Sequence, residues 1–200
     1  MTLIDQMLEW TAAISGVLCV YLLTKEKIWA WIFGLISVGI YVYIFWINKL
    51  YSDTILHVVY VVLNAYGLFV WTRKSAHSQV SEQDVLPITW LPVSQRWIYL
   101  GVIVLGSLLW GYGMNRYTDA SYPYPDAFTT VASLVAQYLI ARKRIENWLI
   151  WIVVDVVAIV IYGFKGIWVT SGLYLVYLVL SVLGFLEWKK KWLGSSNHSS

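Results

Sequence analysis

The run NWLIWIVVDVVAIVIYGF, residues 147 to 164, sets the reading of the whole chain: it is long enough to cross a bilayer and carries a single charge, Asp155, near its middle. A helix needs about 20 apolar residues to span the hydrocarbon core, with a range of about 17 to 25. Measured against that length, seven stretches qualify or nearly do: Met7 to Leu23, Ile28 to Ile47, Thr54 to Thr72, Trp97 to Met114, Ala127 to Ala141, Asn147 to Phe164 and Ile167 to Leu186. The fifth is short and is expected to extend upstream through Asp126, since Pro125 suits a first helical turn and Asp126 complements the positive end of the dipole. Composition agrees. Of the 200 residues 60% are hydrophobic and 12% charged, more apolar surface than one water-soluble core of this size could hide. The expected fold is an all-α integral membrane protein with seven transmembrane helices.

Between the third and fourth spans, Lys74 to Gln95 carries Ser75, Ser78, Ser81, Glu82, Asp84, Pro87 and Pro92 and reads as one long polar loop. The chain then divides into a first three-helix bundle (7–74), the polar loop (75–96), a linking helix (97–114), a second three-helix bundle (125–191) and a disordered tail (192–200). Asp5 and Glu9 stand where a signal peptide would be basic, so the first span is expected to remain in the mature protein. Lys25, Lys27, Arg73, Lys74, Arg96, Arg142, Lys143, Arg144, Lys189, Lys190 and Lys191 fall on one side of this topology, against Lys49, Arg116 and Lys165 on the other. Eleven against three places the N-terminus outside and the C-terminus in the cytoplasm of a cell whose inner membrane holds the protein.

Sliding the sequence over itself by 117 residues aligns the first three spans with the last three without a gap. Tyr21 meets Tyr138, Trp31 meets Trp148, Tyr60 meets Tyr177, Gly67 meets Gly184 and Trp71 meets Trp188; Lys25-Glu26-Lys27 falls on Arg142-Lys143-Arg144, and Arg73-Lys74 on Lys190-Lys191. Three spans is an odd number, so an intervening fourth span restores the direction of the second repeat. That 3+1+3 parallel-repeat plan is the SWEET-like arrangement of transporters with a midplane substrate site.

Asp155 is the acid in the middle of a span, and inserting such a group costs about 2.5 to 3.5 kcal/mol, so it faces either a cavity or a partner. It is a counter-charge for a cationic ligand or a hydrogen-bond hub. Asn147, Trp151 and Asp155 are spaced by four and share a face of the sixth helix. Gln137 lies deep in the fifth span and Asn64 in the middle of the third, aligned with Ser181 in the repeat; each amide can donate and accept. For either amide an ordinary interhelical hydrogen bond is an equally good account. A phosphorylated cargo would call for Arg or Lys inside the spans. None is there, so the cargo is expected to be neutral or cationic, and aromatic rings with a carboxylate and amides suit a flat cation bearing a carboxamide or sugar hydroxyls. His57, near the outer end of the third span, stands without a second intramembrane histidine, and Cys19 is the sole cysteine, so no metal, haem or disulfide is expected. The seventh span has no lysine for a retinal Schiff base, and no protease motif appears; the chain is read as a transporter without cofactor, not an enzyme. Its charge does not suggest nucleic acid, and its partners are the bilayer and a small molecule. Neither half shows a Gly-x-x-x-Gly face, which leaves monomer and homo-oligomer both open.

The segment Arg142-Lys143-Arg144-Ile145-Glu146-Asn147-Trp148-Leu149-Ile150-Trp151 with Asp155 resembles the PnuC family of nicotinamide riboside transporters. Trp168-Val169-Thr170, Leu173-Tyr174, Tyr177, Gly184 and Trp188 strengthen the likeness, as do Asn64-Ala65-Tyr66-Gly67 and Trp71, and it extends from Trp10 to Trp188. The resemblance implies a SWEET-like fold, a substrate between two three-helix bundles, and passive uptake of nicotinamide riboside completed by phosphorylation in the cytoplasm, in the service of NAD biosynthesis. It supports Asn64, Gln137, Asn147, Trp151 and Asp155 as substrate-binding candidates. A SWEET-type sugar transporter is the alternative with the same architecture, and a membrane receptor or scaffold the alternative of another class.

Overall fold

The computed structural model describes residues 3–76, 86–118 and 122–196. They form seven helices: α1 (Leu3–Thr24), α2 (Trp29–Ile47), α3 (Tyr51–Ala76), α4 (Val93–Tyr117), α5 (Pro123–Ala141), α6 (Glu146–Phe164) and α7 (Trp168–Ser196). The chain folds as two compact units, Met1–Pro87 with α1 to α3 and Ile88–Ser200 with α4 to α7. In the first, α2 packs against both α1 and α3; in the second, α5 packs between α4 and α6, and α6 also against α7.

Six of the seven helices are long and apolar enough to cross a bilayer, and α5 is the exception. The reason is its surroundings. Ala127, Ala132, Ser133, Val135, Ala136, Gln137, Leu139, Ile140 and Ala141 are all buried, so α5 needs small and polar groups that let neighbours approach rather than long apolar ones that meet lipid. α4 does the reverse, exposing Ile98, Val102, Leu105, Leu108 and Leu109. Exposed tryptophans at helix ends, among them Trp29, Trp46, Trp97 and Trp168, suit the headgroup level.

The helix ends show how closely the two halves repeat. α2 and α6 begin and end at positions 117 apart, α1 and α5 end at matching residues, and α3 and α7 begin at matching residues. The turns α1–α2, α2–α3, α5–α6 and α6–α7 are Schellman motifs, with a C″ N–H bonded to the C3 carbonyl around a left-handed C′ residue. Lys27 N donates to Leu22 O and Arg144 N to Leu139 O, around Glu26 (φ 56°) and Lys143 (φ 50°). Leu50 N donates to Phe45 O and Ile167 N to Tyr162 O, around Lys49 (φ 59°) and Gly166 (φ 73°). α5 starts at Pro123, with Asp126 in its first turn, as the sequence leads one to expect.

Two boundaries differ from expectation. The supposed loop of residues 75–96 is helical at both ends, since α3 runs to Ala76 and α4 starts directly after Pro92, whose fixed φ of −54° suits a helix entry; positions 77–85, with Ser78, Ser81, Glu82 and Asp84, lie outside the described residues. The stretch from Trp192 to Ser196, read from composition as a disordered tail, continues α7, and Trp192 packs edge-on against Trp90 with ring centroids 6.3 Å apart. Residues 197–200 lie outside the described set.

Candidate functional site

Asp155 sits halfway along α6 and is 2% exposed. Its carboxylate Oδ2 accepts a hydrogen bond of 2.9 Å from the Ser181 hydroxyl of α7, itself 2% exposed. Among the described residues no cation pairs with Asp155. A buried carboxylate satisfied by one neutral hydroxyl has unused acceptor capacity and an uncompensated charge. The hydrogen-bond partner on the neighbouring helix is a serine.

Trp151, one turn before Asp155, is half-buried and, like Tyr99, Phe128, Tyr138 and Ile150, packs against a cluster formed by Leu91, Ile103, Ala132, Val135, Leu139 and Val154. It therefore joins α6 to α5 and α4, whereas Asp155 joins α6 to α7. Gln137 is buried in α5. Asn147 is fully buried in the first turn of α6, where its Nδ2 donates to Arg144 O at 2.6 Å and braces the basic turn; its Oδ1 has no partner. In the first unit, Asn64 Nδ2 donates to Tyr60 O at 2.8 Å on its own helix, and its Oδ1, also without a partner, lies on Gly34. Two buried amide oxygens are thus open to a donor, the kind of group that in a folded protein calls for an explanation. Of the five sequence candidates, Asn147, Trp151 and Asp155 succeed one another along α6 and Gln137 shares their unit; Asn64 belongs to the other unit, and no hydrogen bond joins one candidate to another.

Each unit also has a tryptophan pair, which joins α2 to α3 in the first and α6 to α7 in the second. Trp31 meets Trp71 edge to face at 5.3 Å, and Trp148 meets Trp188 at 5.4 Å. Both pairs require a glycine, because a Cβ on Gly67 would enter the Trp31 ring and one on Gly184 would come within 2.7 Å of Trp148. The marked Trp and Gly positions of the repeat are therefore packing devices. A second repeated device, of which the identity match shows only Tyr60 and Tyr177, is a pair of aromatic triads at the α2–α3 and α6–α7 ends. Phe45, His57 and Tyr60 have ring contacts of 4.8 and 5.8 Å, and Tyr162, Tyr174 and Tyr177 contacts of 5.4 and 6.0 Å, at positions 117 apart. The shift that found the other pairs finds these once aromatic replacements are allowed.

Glu146, central to the basic-Glu-Asn-Trp segment, faces protein. Its carboxylate accepts the Leu91 N–H at 2.9 and 3.1 Å and Arg96 Nε at 2.9 Å. Beside it Thr89 N donates to Lys143 O and Ile145 N to Thr89 O, while Arg144 Nη1 donates to the Thr89 hydroxyl at 2.6 Å. The segment before α4 is strapped in this way to the α5–α6 turn. Sequence offers no direct sign of a bond between residues 55 apart.

The family model described as "Nicotinamide mononucleotide transporter" matches residues 6–190. The chain is 32% identical over 195 residues to "Nicotinamide riboside transporter PnuC" of Neisseria mucosa, covering 93% of this chain and 73% of that protein. It is 28% identical over 205 residues to the PnuC of Escherichia coli, covering 90% and 84%. It is also 24% identical over 201 residues to "Riboflavin/roseoflavin transporter RibM" of Streptomyces davaonensis, covering 98% and 91%. Among solved structures, "Crystal structure of the Vitamin B3 transporter PnuC" matches with a TM-score of 0.73 and 30% identity, over 94% of this chain and 83% of that one. A multi-pass helical membrane protein with these helices and these relatives is a transporter and not an enzyme, and the chain belongs to the PnuC family, whose model bears the description nicotinamide mononucleotide transporter.

Proposed function

We propose that this transporter takes up nicotinamide riboside by facilitated diffusion, through alternating access of two three-helix bundles. The names of the family and its relatives cover a phosphorylated nucleotide, an unphosphorylated riboside and a flavin. The observation that carries the choice is the buried Asp155, which has a serine hydroxyl for partner and no cation. A carboxylate so placed favours a cation and opposes a phosphate dianion. Nicotinamide riboside supplies the cation in its pyridinium ring, which Trp151 can hold by its π-face, while its carboxamide and ribose hydroxyls can donate to Asn147 and meet the amide of Gln137. A sugar carrier has no use for the charge on Asp155.

The arrangement that fits this activity is SWEET-like, 3+1+3, with α5 as the seventh span, the N-terminus outside and the C-terminus in the cytoplasm of an inner membrane. The repeated turns and the distribution of Lys and Arg support it. Uptake of labelled nicotinamide riboside into proteoliposomes tests the reading, with glucose, riboflavin and nicotinamide mononucleotide as competitors. Saturable uptake that none of the three displaces is expected; displacement by the mononucleotide at equal concentration overturns it. Accumulation above equilibrium driven by a sodium or proton gradient would sink the facilitated mechanism, which rests on Asp155 having no second membrane-embedded acid beside it to bind a coupling ion.

A further inference from the structure

The second unit holds a cavity of about 220 Å³ at its basic end, lined by Leu91, Gln95, Tyr99, Tyr138, Leu139, Arg142 and Arg144. It lies where α4 begins and α5 ends. Among the described residues no carboxylate lines it, and the nearby Glu146 is taken up by Leu91 N–H and Arg96. Arg144 holds its place through neutral acceptors, the Thr89 hydroxyl and Trp90 O, so its charge is not cancelled by those bonds. α4 enters through Pro92 without a side-chain cap, which leaves the positive end of a 25-residue helix facing this end of the unit. Two guanidinium groups, a Tyr99–Tyr138 phenol pair hydrogen-bonded to each other, one amide and a helix N-terminus make a donor-rich lining whose complementary ligand class is an oxyanion with several acceptor oxygens.

We propose that this cavity is a phosphate-binding site, lined by residues other than the transport candidates and occupied by the phosphate group of an anionic lipid or by a free phosphate from the adjoining aqueous phase. It does not depend on the identity of the cargo, because none of its lining residues is among the proposed cargo contacts. A volume of about 220 Å³ accommodates a phosphate group with its ester substituent but not a whole dinucleotide. Arg142 is exposed and follows the last residue of α5, so Arg142→Gln removes the charge without opening the core.

The test uses the purified full chain in two settings. In phosphatidylcholine nanodiscs, inorganic phosphate is titrated by calorimetry at constant ionic strength; in native mass spectrometry, retention of phosphatidylglycerol is compared with retention of phosphatidylcholine. Lys190→Gln, an exposed change of equal charge elsewhere, is the control. Saturable phosphate binding that Arg142→Gln weakens about fivefold or more and Lys190→Gln leaves alone establishes a free-phosphate site. Selective retention of phosphatidylglycerol with the same dependence establishes a headgroup site. Equal losses in the two variants, or binding in neither setting, overturn the proposal.

Discussion

In α3 of the first unit Asn64 lies over Gly34, and at the matching position of α7 Ser181 donates to Asp155. Around these two centres the halves agree down to the torsion angles of their turns and the distances between their tryptophan rings. What differs is what each buries. Val20, Ala30, Gly34 and Val38 in the first unit stand where the second has Gln137, Asn147, Trp151 and Asp155. A common backbone thus carries apolar side chains in the first unit and polar or aromatic ones in the second at these four positions. The Trp–Gly pairs that maintain the backbone sit on residues separate from those that set the chemistry, so the lining can diverge without disturbing the fold.

That separation can be broken most severely at the tryptophans. Trp148→Ala removes a fully buried ring and should destabilise by about 3 to 5 kcal/mol, the usual cost of such a cavity. Trp31→Ala should cost the same, because its ring is equally buried and equally paired. Thermal unfolding followed by intrinsic fluorescence checks both, and a marked difference between the two variants would break the equivalence of the halves.

Chemistry should respond at Asp155 without the fold following. Asp155→Asn keeps an acceptor for Ser181 but removes the charge, and should weaken nicotinamide riboside binding by about 1 to 3 kcal/mol, or roughly 5- to 150-fold. The uncharged reduced riboside should lose far less. Equal losses for the two ligands in calorimetry, or an unchanged affinity in folded protein, would reduce Asp155 to a structural hydrogen-bond hub.

Glu146 sharpens the comparison in another way, since the matching residue in the first unit is Trp29, which has no carboxylate to hold such a strap. Glu146→Gln weakens the bonds to Leu91 N–H and Arg96 Nε and should cost about 1 to 2 kcal/mol, with faster amide exchange at Leu91. If exchange rises instead in α1 to α3, the strap is not local to the second unit. The smallest effect belongs to the turns. Lys49 and Gly166 occupy the same left-handed position, so Lys49→Gly should stabilise by about 0.5 to 1 kcal/mol and Gly166→Lys destabilise by about 1 to 2 kcal/mol. Paired unfolding midpoints that move in the same direction would show that the two turns are not equivalent.

The sequence by itself determined the helices, the repeat and its register. Length and apolarity leave few ways to satisfy a backbone in lipid other than helices, and a gapless shift of 117 fixes which residues correspond. It also singled out Asp155, because an acid inside an apolar run is costly wherever the run is placed. Weakest on composition was α5, because a helix enclosed by its neighbours needs no lipid-compatible surface. Partners were decided by tertiary structure. Ser181 is 26 residues from Asp155 and Leu91 is 55 from Glu146, and a hydrogen bond depends on where two helices bring their side chains, which spacing along the chain does not record. The same holds for Gly67 and Gly184: the alignment marks them as repeated, but only the packed tryptophan ring above each explains why no larger residue fits.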